Sequence, residues 1–166
     1  MSDRKRISSG WAVAIVLAVL LLGGTAVAAG VQLMKNVDEP GRHPFSVQVS
    51  CDLADTVAFG GGSTALPAGK RIVVDYVSVR ATLPSGQKLL RADVSTTVAG
   101  NTQPYAVVPT FTGTDTSGND VYVAGQQVTL YDDPNNGLNV GCTRGPTASG
   151  AANITFFING HTLSPR

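Results

Sequence analysis

Residues 66–83 constrain the fold more than any other part of the chain. This segment begins with a Pro-Ala-Gly turn at 67–69, continues through a run of β-branched residues, and stops at the turn Pro84-Ser85-Gly86. Valine and isoleucine favour strands, and Pro67 precedes the strand, where its missing N–H does no harm. Both alternating faces are apolar in the middle of the run. The pattern therefore predicts a long central strand that is covered on both sides.

Short alternations of apolar and polar residues continue on both sides of that strand. The longest one covers residues 90–98, and no helical period follows the N-terminal segment. We predict further strands at 45–51, 56–59, 90–98, 105–111, 121–123, 128–131, 138–142 and 153–163. We predict a flexible loop at Gly60-Gly61-Gly62-Ser63. Eight or nine short strands indicate an all-β, antiparallel β-sandwich, with a jelly roll as one form of it.

The N-terminus has the three regions of a signal peptide. Arg4, Lys5 and Arg6 precede an uninterrupted apolar run at 11–22, and small residues follow it. We predict a signal helix at 1–28, with cleavage after Ala28 or, alternatively, after the next alanine. An uncleaved anchor is the competing interpretation, because residues 11–31 carry no charge and could span a bilayer core of about 30 Å.

The predicted organisation is a signal peptide or anchor at 1–28, a flexible lead-in at 29–44 and a β-sandwich domain at 45–166. This organisation predicts a secreted or periplasmic protein. Removing 1–28 removes three of 12 basic residues and one of 11 acidic residues, which leaves nine against ten. Such a balance argues against nucleic acid as a partner, and it leaves the N-terminal segment, if uncleaved, as the membrane contact.

The sequence contains two cysteines, Cys51 and Cys142. An even pair in an exported chain predicts one disulfide between them. Two buried free thiols are the alternative. A metal site is disfavoured, because neither cysteine has a nearby histidine or a C-x-x-C partner.

Catalytic motifs are weak in this sequence. There is no G-x-S-x-G motif, and the two histidines, His43 and His161, are expected to be solvated. Asp132 and Asp133 lie in a turn, where neighbouring side chains do not automatically share a site, so a glycosidase has little support. We therefore predict no catalytic residues and no cofactor.

Three other features have a structural and a functional interpretation. Residues 115–120 could form a calcium loop, but they lack EF-hand spacing and favour a polar turn. Asp75, among valines, is expected to pair with Lys70, Arg71 or Arg80. Aromatic residues could form a sugar-binding platform or belong to the core: Tyr76, Tyr105, Phe111, Tyr122 and Tyr131.

Two segments resemble uncharacterised exported bacterial β-sandwich proteins. The first is the run Leu66-Pro67-Ala68-Gly69-Lys70-Arg71 with the apolar strand after it, and the second is Val128-Thr129-Leu130-Tyr131-Asp132-Asp133-Pro134. The resemblance implies a fold and an exported setting, and it implies no activity. The sequence thus favours a non-catalytic module with a binding or structural role in the envelope or outside the cell. Its ligand is unknown. A small secreted hydrolase acting on a saccharide or envelope polymer is the alternative.

Overall fold

The computed structural model describes residues 42–145 and 149–163, and all of its regular structure is β. The predicted signal peptide lies outside these residues, as does the lead-in up to residue 41. The described strands are β1 (His43–Ser50), β2 (Phe59–Ala65), β3 (Arg71–Leu83), β4 (Lys88–Val98), β5 (Asn101–Val107), β6 (Thr110–Thr114), β7 (Asp120–Asp132), β8 (Gly137–Gly145) and β9 (Asn153–Leu163). Within the described ranges, no helix is long and apolar enough to cross a membrane.

Two antiparallel sheets pack against each other, as the β-sandwich prediction requires. The first sheet has the order β1-β9-β3-β7-β6 and the second has the order β2-β8-β4-β5. Strand β3 is the middle strand of the first sheet, which confirms its predicted central position. Inward-facing residues of both sheets form one apolar core, including Val74, Val77, Val94, Val140, Ile154, Phe156 and Ile158.

A β-bulge in β3 changes which residues face the core. Register with both neighbouring strands shifts between Val74 and Tyr76, because Asp75 is an extra residue there. Val74 and Val77 are fully buried, whereas the two residues between them are exposed. The expectation that both faces of this strand are covered therefore holds at residues 72–74, which are all buried, and is wrong from Asp75 onward. Beyond the bulge the outer face carries exposed residues such as Arg80.

The glycine-rich segment at 60–63 lies in a strand, so the prediction of a flexible loop there is wrong. The second strand, predicted at 56–59, is β2 at Phe59–Ala65. A Cβ on Gly62 would lie 2.1 Å from the Ser50 carbonyl oxygen, and one on Gly60 would lie 2.7 Å from the Leu53 side chain. The missing side chains thus let β2 lie directly against the end of β1 and the segment after it. Low strand propensity is overridden here by close packing of two backbones.

Two further strand boundaries differ from the prediction. The two strands predicted at 121–123 and 128–131 are one strand, since β7 runs without a break through 13 residues. The single strand expected at 105–111 is two edge strands, β5 and β6, which lie in different sheets. Pro104 stands inside β5, opposite Ser95 of β4, as an edge strand permits.

Candidate functional site

The bulge in β3 places an acid beside a histidine on the outer surface of the first sheet. Asp75 Oδ2 lies 2.7 Å from His161 Nδ1, and the two side chains are 52% and 14% exposed. The register explains the contact, because His161 on β9 pairs with Val73, two residues before the bulged position. The prediction that Asp75 pairs with a nearby lysine or arginine is wrong, and so is the prediction that His161 is a solvated residue.

Three exposed aromatic side chains lie on the same surface as this pair. Tyr76, Tyr131 and Phe157 are 38%, 49% and 40% exposed. Tyr131 pairs with Val73 across the sheet, and Phe157 pairs with Ser78, diagonally next to Tyr76. We call the outer surface formed by these three rings together with Asp75 and His161 the aromatic face.

Tyr76 lies along the sheet and covers a glycine. A Cβ built on Gly125 would lie 2.3 Å from the Tyr76 hydroxyl oxygen, so the absence of a side chain there makes room for the ring. Gly125 pairs with Ser78, which is also small. The small residue at this position therefore lets the Tyr76 ring extend over β7.

Neutral amides border the rings. Gln127 and Asn159 pair with Tyr76 from opposite sides, and Gln48 of β1 pairs with Phe157. Amide side chains both donate and accept hydrogen bonds. An open recess of about 440 Å³ next to Asp75 is lined by Gln127, Val128 and Thr129. Chemically, the surface combines three exposed rings, neutral amides and the Asp75–His161 pair.

The other candidate aromatics lie elsewhere. Tyr122 is buried and donates its hydroxyl proton to the Gln87 carbonyl oxygen at 3.0 Å. Burial raises the pKa of that hydroxyl, and the charge of Asp120 adds to the effect. Phe111 on β6 packs against Tyr122 with ring centroids 5.5 Å apart, and Tyr105 is half-buried against the core. Of the five predicted aromatics, Tyr76 and Tyr131 alone share the aromatic face.

Asp132 and Asp133 connect two turns through hydrogen bonds and do not share a cleft. Asp132 is fully buried and accepts the Thr97 N–H at 2.6 Å, while Asp133 accepts the Ala99 N–H at 2.7 Å and pairs with Arg71 at 2.9 Å. Burial raises the pKa of Asp132. The Ala99 N–H, aided by Arg71, lowers the pKa of Asp133. The arrangement joins the end of β7 to the β4–β5 turn, which is a structural role.

The segment considered as a calcium loop is held by its own hydrogen bonds. Asp115 Oδ1 accepts the N–H groups of Ser117 and Asn119 at 2.8 and 2.9 Å. The bond from Asn119 also lowers the pKa of Asp115. The described residues contain no cluster of three or more potential metal ligands, and the polar turn explains this carboxylate without a cation.

The predicted disulfide is present. Cys51 and Cys142 are joined at 2.04 Å and are buried between the sheets.

His43 pairs with Thr162, which faces inward, so the two histidines belong to opposite faces of the sheet.

No protein-family model matches the chain, and no curated protein matches its sequence. Function must therefore be argued from the geometry.

The sequence prediction did not include Phe157 or His161 among the candidate binding residues. A signal for Phe157 was present, because it alternates with the buried Ile154, Phe156 and Ile158 and so must face outward. The Asp75–His161 contact had no such signal, since the two residues are 86 positions apart.

Proposed function

We propose that this chain is an exported, non-catalytic β-sandwich module that binds a saccharide polymer of the envelope or the extracellular space on its aromatic face. The observation that carries the proposal is the exposure of Tyr76, Tyr131 and Phe157 on one side of one sheet. Rings exposed to solvent bury little area on folding, and exposed apolar groups gathered on one face commonly mark interaction sites.

The chemistry of the aromatic face favours a sugar chain as the ligand. Tyrosine and phenylalanine rings offer flat apolar surfaces, which suit the C–H face of a pyranose ring. Gln48, Gln127 and Asn159 border the rings and can exchange hydrogen bonds with hydroxyl groups. An open surface also fits an extended ligand better than a small enclosed one.

Several observations support an exported setting and a particular fold. The predicted signal peptide and the Cys51–Cys142 bond are both typical of secreted or periplasmic proteins. The strand orders fit a jelly roll of two four-stranded sheets, with β6 added at one edge. Both points agree with the resemblance to exported bacterial β-sandwich proteins.

Affinity electrophoresis of the full-length chain through gels containing different soluble polysaccharides tests the proposal. We expect at least one neutral polysaccharide to retard the protein, and we expect the double variant Tyr76→Ala/Phe157→Ala to migrate freely. Phe59→Ala is the matched control, because Phe59 is 75% exposed on β2 of the other sheet. Equal loss of retardation in the control would contradict the proposal, as would retardation by no polysaccharide in the panel.

One observation favours a hydrolase as the second candidate. The contact between Asp75 and His161 Nδ1 is the kind of hydrogen bond that orients a histidine as a general base. A hydrolase would release reducing ends from a bound polymer and would lose that activity in His161→Ala. The non-catalytic proposal expects no release of reducing ends by either protein.

A further inference from the structure

A second concave site lies at the end of the sandwich where β3 finishes. It is an open cavity of about 490 Å³, within the range of roughly 300–1,000 Å³ that is usual for small-molecule sites. Its described polar lining consists of Asp52, Thr82, Asn119 and Asn153, and its apolar lining consists of Leu53 and three alanines. None of these side chains belongs to the aromatic face.

Backbone hydrogen bonds hold two walls of the cavity side by side. Leu53 and Ala152 exchange N–H···O bonds of 2.9 and 2.8 Å, and the Cys51 N–H donates to the Ile154 carbonyl oxygen at 2.8 Å. This short antiparallel bridge places Asp52 next to Asn153, whose Nδ2 donates to Asp52 Oδ1. Leu53 is 1% exposed and anchors the floor in the core.

The third wall is fixed independently by the β6–β7 turn. Two hydrogen bonds connect the backbone of Asn119 to Asp115. The Asp115 N–H donates to the Asn119 carbonyl oxygen at 2.8 Å, and the Asn119 N–H donates to Asp115 Oδ1 at 2.9 Å. Its side-chain contact with Asp115 Oδ2 is long, at 3.4 Å, and therefore weak. The Asn119 amide is thus positioned by the turn and can still exchange hydrogen bonds with a ligand in the cavity.

The lining defines the ligand class. A carboxylate, two amides and a hydroxyl surround an apolar floor, so the cavity suits a ring with one apolar side and hydroxyl groups at its edge. Among the described lining residues, Asp52 is the one side chain that carries a charge, and this negative charge disfavours the binding of anions. We propose that this cavity binds a single neutral pyranose, as a monosaccharide or as the end of a chain, separately from the aromatic face.

Titration of the ¹⁵N-labelled full-length chain with single sugars tests the proposal by NMR. The probes are glucose, galactose, mannose and N-acetylglucosamine, with glucuronic acid as the anionic control. We expect at least one neutral sugar to shift the side-chain amide signals of Asn119 and Asn153 in a saturable manner. We expect the same shifts in Tyr76→Ala/Phe157→Ala, which separates this site from the aromatic face.

Substitution in the cavity completes the test. Ala151→Phe should fill the cavity and weaken binding at least about tenfold. Ala68→Phe, in the exposed β2–β3 turn at the other end of the sandwich, should leave binding unchanged. If Ala151→Phe does not fold, Asn119→Ala replaces it, since that change keeps the turn's backbone bonds.

Three results would overturn the proposal. They are no saturable shift with any neutral probe, equal binding of glucuronic acid, and wild-type affinity in a folded cavity variant.

Discussion

At the scale of single residues, buried polar groups hold the ends of this sandwich together. Arg144 is 2% exposed, and its guanidinium donates to carbonyl oxygens of Val57, Ala54 and Gly150 at 2.9, 2.7 and 2.6 Å. It also donates to the side chain of Gln87 at 3.1 Å. One arginine on β8 thus satisfies carbonyl groups of two loops that lack strand partners.

Replacing Arg144 should therefore destabilise the fold strongly. Arg144→Met keeps much of the volume but removes the guanidinium donor from the Val57 and Gly150 carbonyl groups and from the buried Gln87 side chain, and we expect a loss of about 3 kcal/mol. Arg71→Met is the matched control. Arg71 is about half exposed in its pair with Asp133, so its loss should change the free energy of unfolding by less than about 1 kcal/mol. Urea unfolding of both variants measures the difference, and similar losses would contradict the assignment.

Asp132 predicts a specific dependence of stability on pH. Burial raises its pKa in the folded state above the ordinary aspartate value of 3.8, so the folded protein holds this proton more tightly than the unfolded chain does. Its contribution to stability is therefore largest below pH 3.8 and is lost as the pH rises through the folded-state pKa. Each unit of pKa difference corresponds to about 1.4 kcal/mol.

Asp132→Asn keeps the acceptor for the Thr97 N–H and removes the titration. We expect the variant to gain stability relative to the wild type as the pH rises from 3.8 toward neutral. Denaturant unfolding of both proteins over this range measures the gain. A constant difference between the two proteins would show that Asp132 has no raised pKa.

At the scale of elements, the sequence predicted strands where period-2 alternation decides the structure. The predictions for β1, β4, β8 and β9 agree with the structure to within a few residues, because one face of each packs on the core. They failed where one backbone approaches another. Gly60 and Gly62 suggest a loop when they are considered alone. They lie in a strand because the segment pairs with β8, and the close approach to Ser50 and Leu53 leaves no room for larger residues.

Substitutions in β2 should separate backbone crowding from side-chain crowding. A Cβ on Gly62 would meet the Ser50 carbonyl oxygen, which is backbone, whereas a Cβ on Gly60 would meet the end of the Leu53 side chain. Overpacking typically lowers the free energy of unfolding by about 1–3 kcal/mol. We expect Gly62→Ala to cost an amount at the upper end of this range and Gly60→Ala to cost less, because a side chain can move aside more easily than backbone. Thermal unfolding of both variants checks the order, and the reverse order would contradict the packing of β2.

The composition of the aromatic face could not be predicted from the alternation of apolar and polar residues. Tyr76 faces outward only because the bulge at Asp75 breaks the period, and a bulge has no reliable signature in one sequence. Strict alternation from Ile72 would place Tyr76 on the core side. Tyr131 and Phe157 follow the alternation of their own strands, so their outward direction was predictable, but their approach to Tyr76 depends on the register.

At the scale of the whole molecule, one covalent bond joins the two sheets. Cys51 follows β1 of the first sheet, and Cys142 lies in β8 of the second. This bond was predictable from the cysteine count and the export signal. Its place at the corner where β1 meets the glycine-rich β2 was not, because it depends on how the sheets pack.

The bond closes a loop with a sequence separation of 91, which in the chain-entropy model stabilises the fold by about 4.6 kcal/mol. We expect Cys51→Ser/Cys142→Ser to unfold at a markedly lower denaturant concentration than the oxidised wild type. Reductant should lower the wild-type midpoint and leave the double variant unchanged. An oxidised wild type no more stable than the double variant would contradict this role.

The central claim is that the aromatic face is the ligand-binding surface, and an NMR map of the bound state tests it most directly. The full-length chain carries ¹³C in its aromatic rings and is titrated with a polysaccharide that retards it in gels. We predict that the ring signals of Tyr76, Tyr131 and Phe157 shift together, while the signal of Phe59 on the other sheet stays in place. Shifts at Phe59 without shifts at the three rings would contradict the claim.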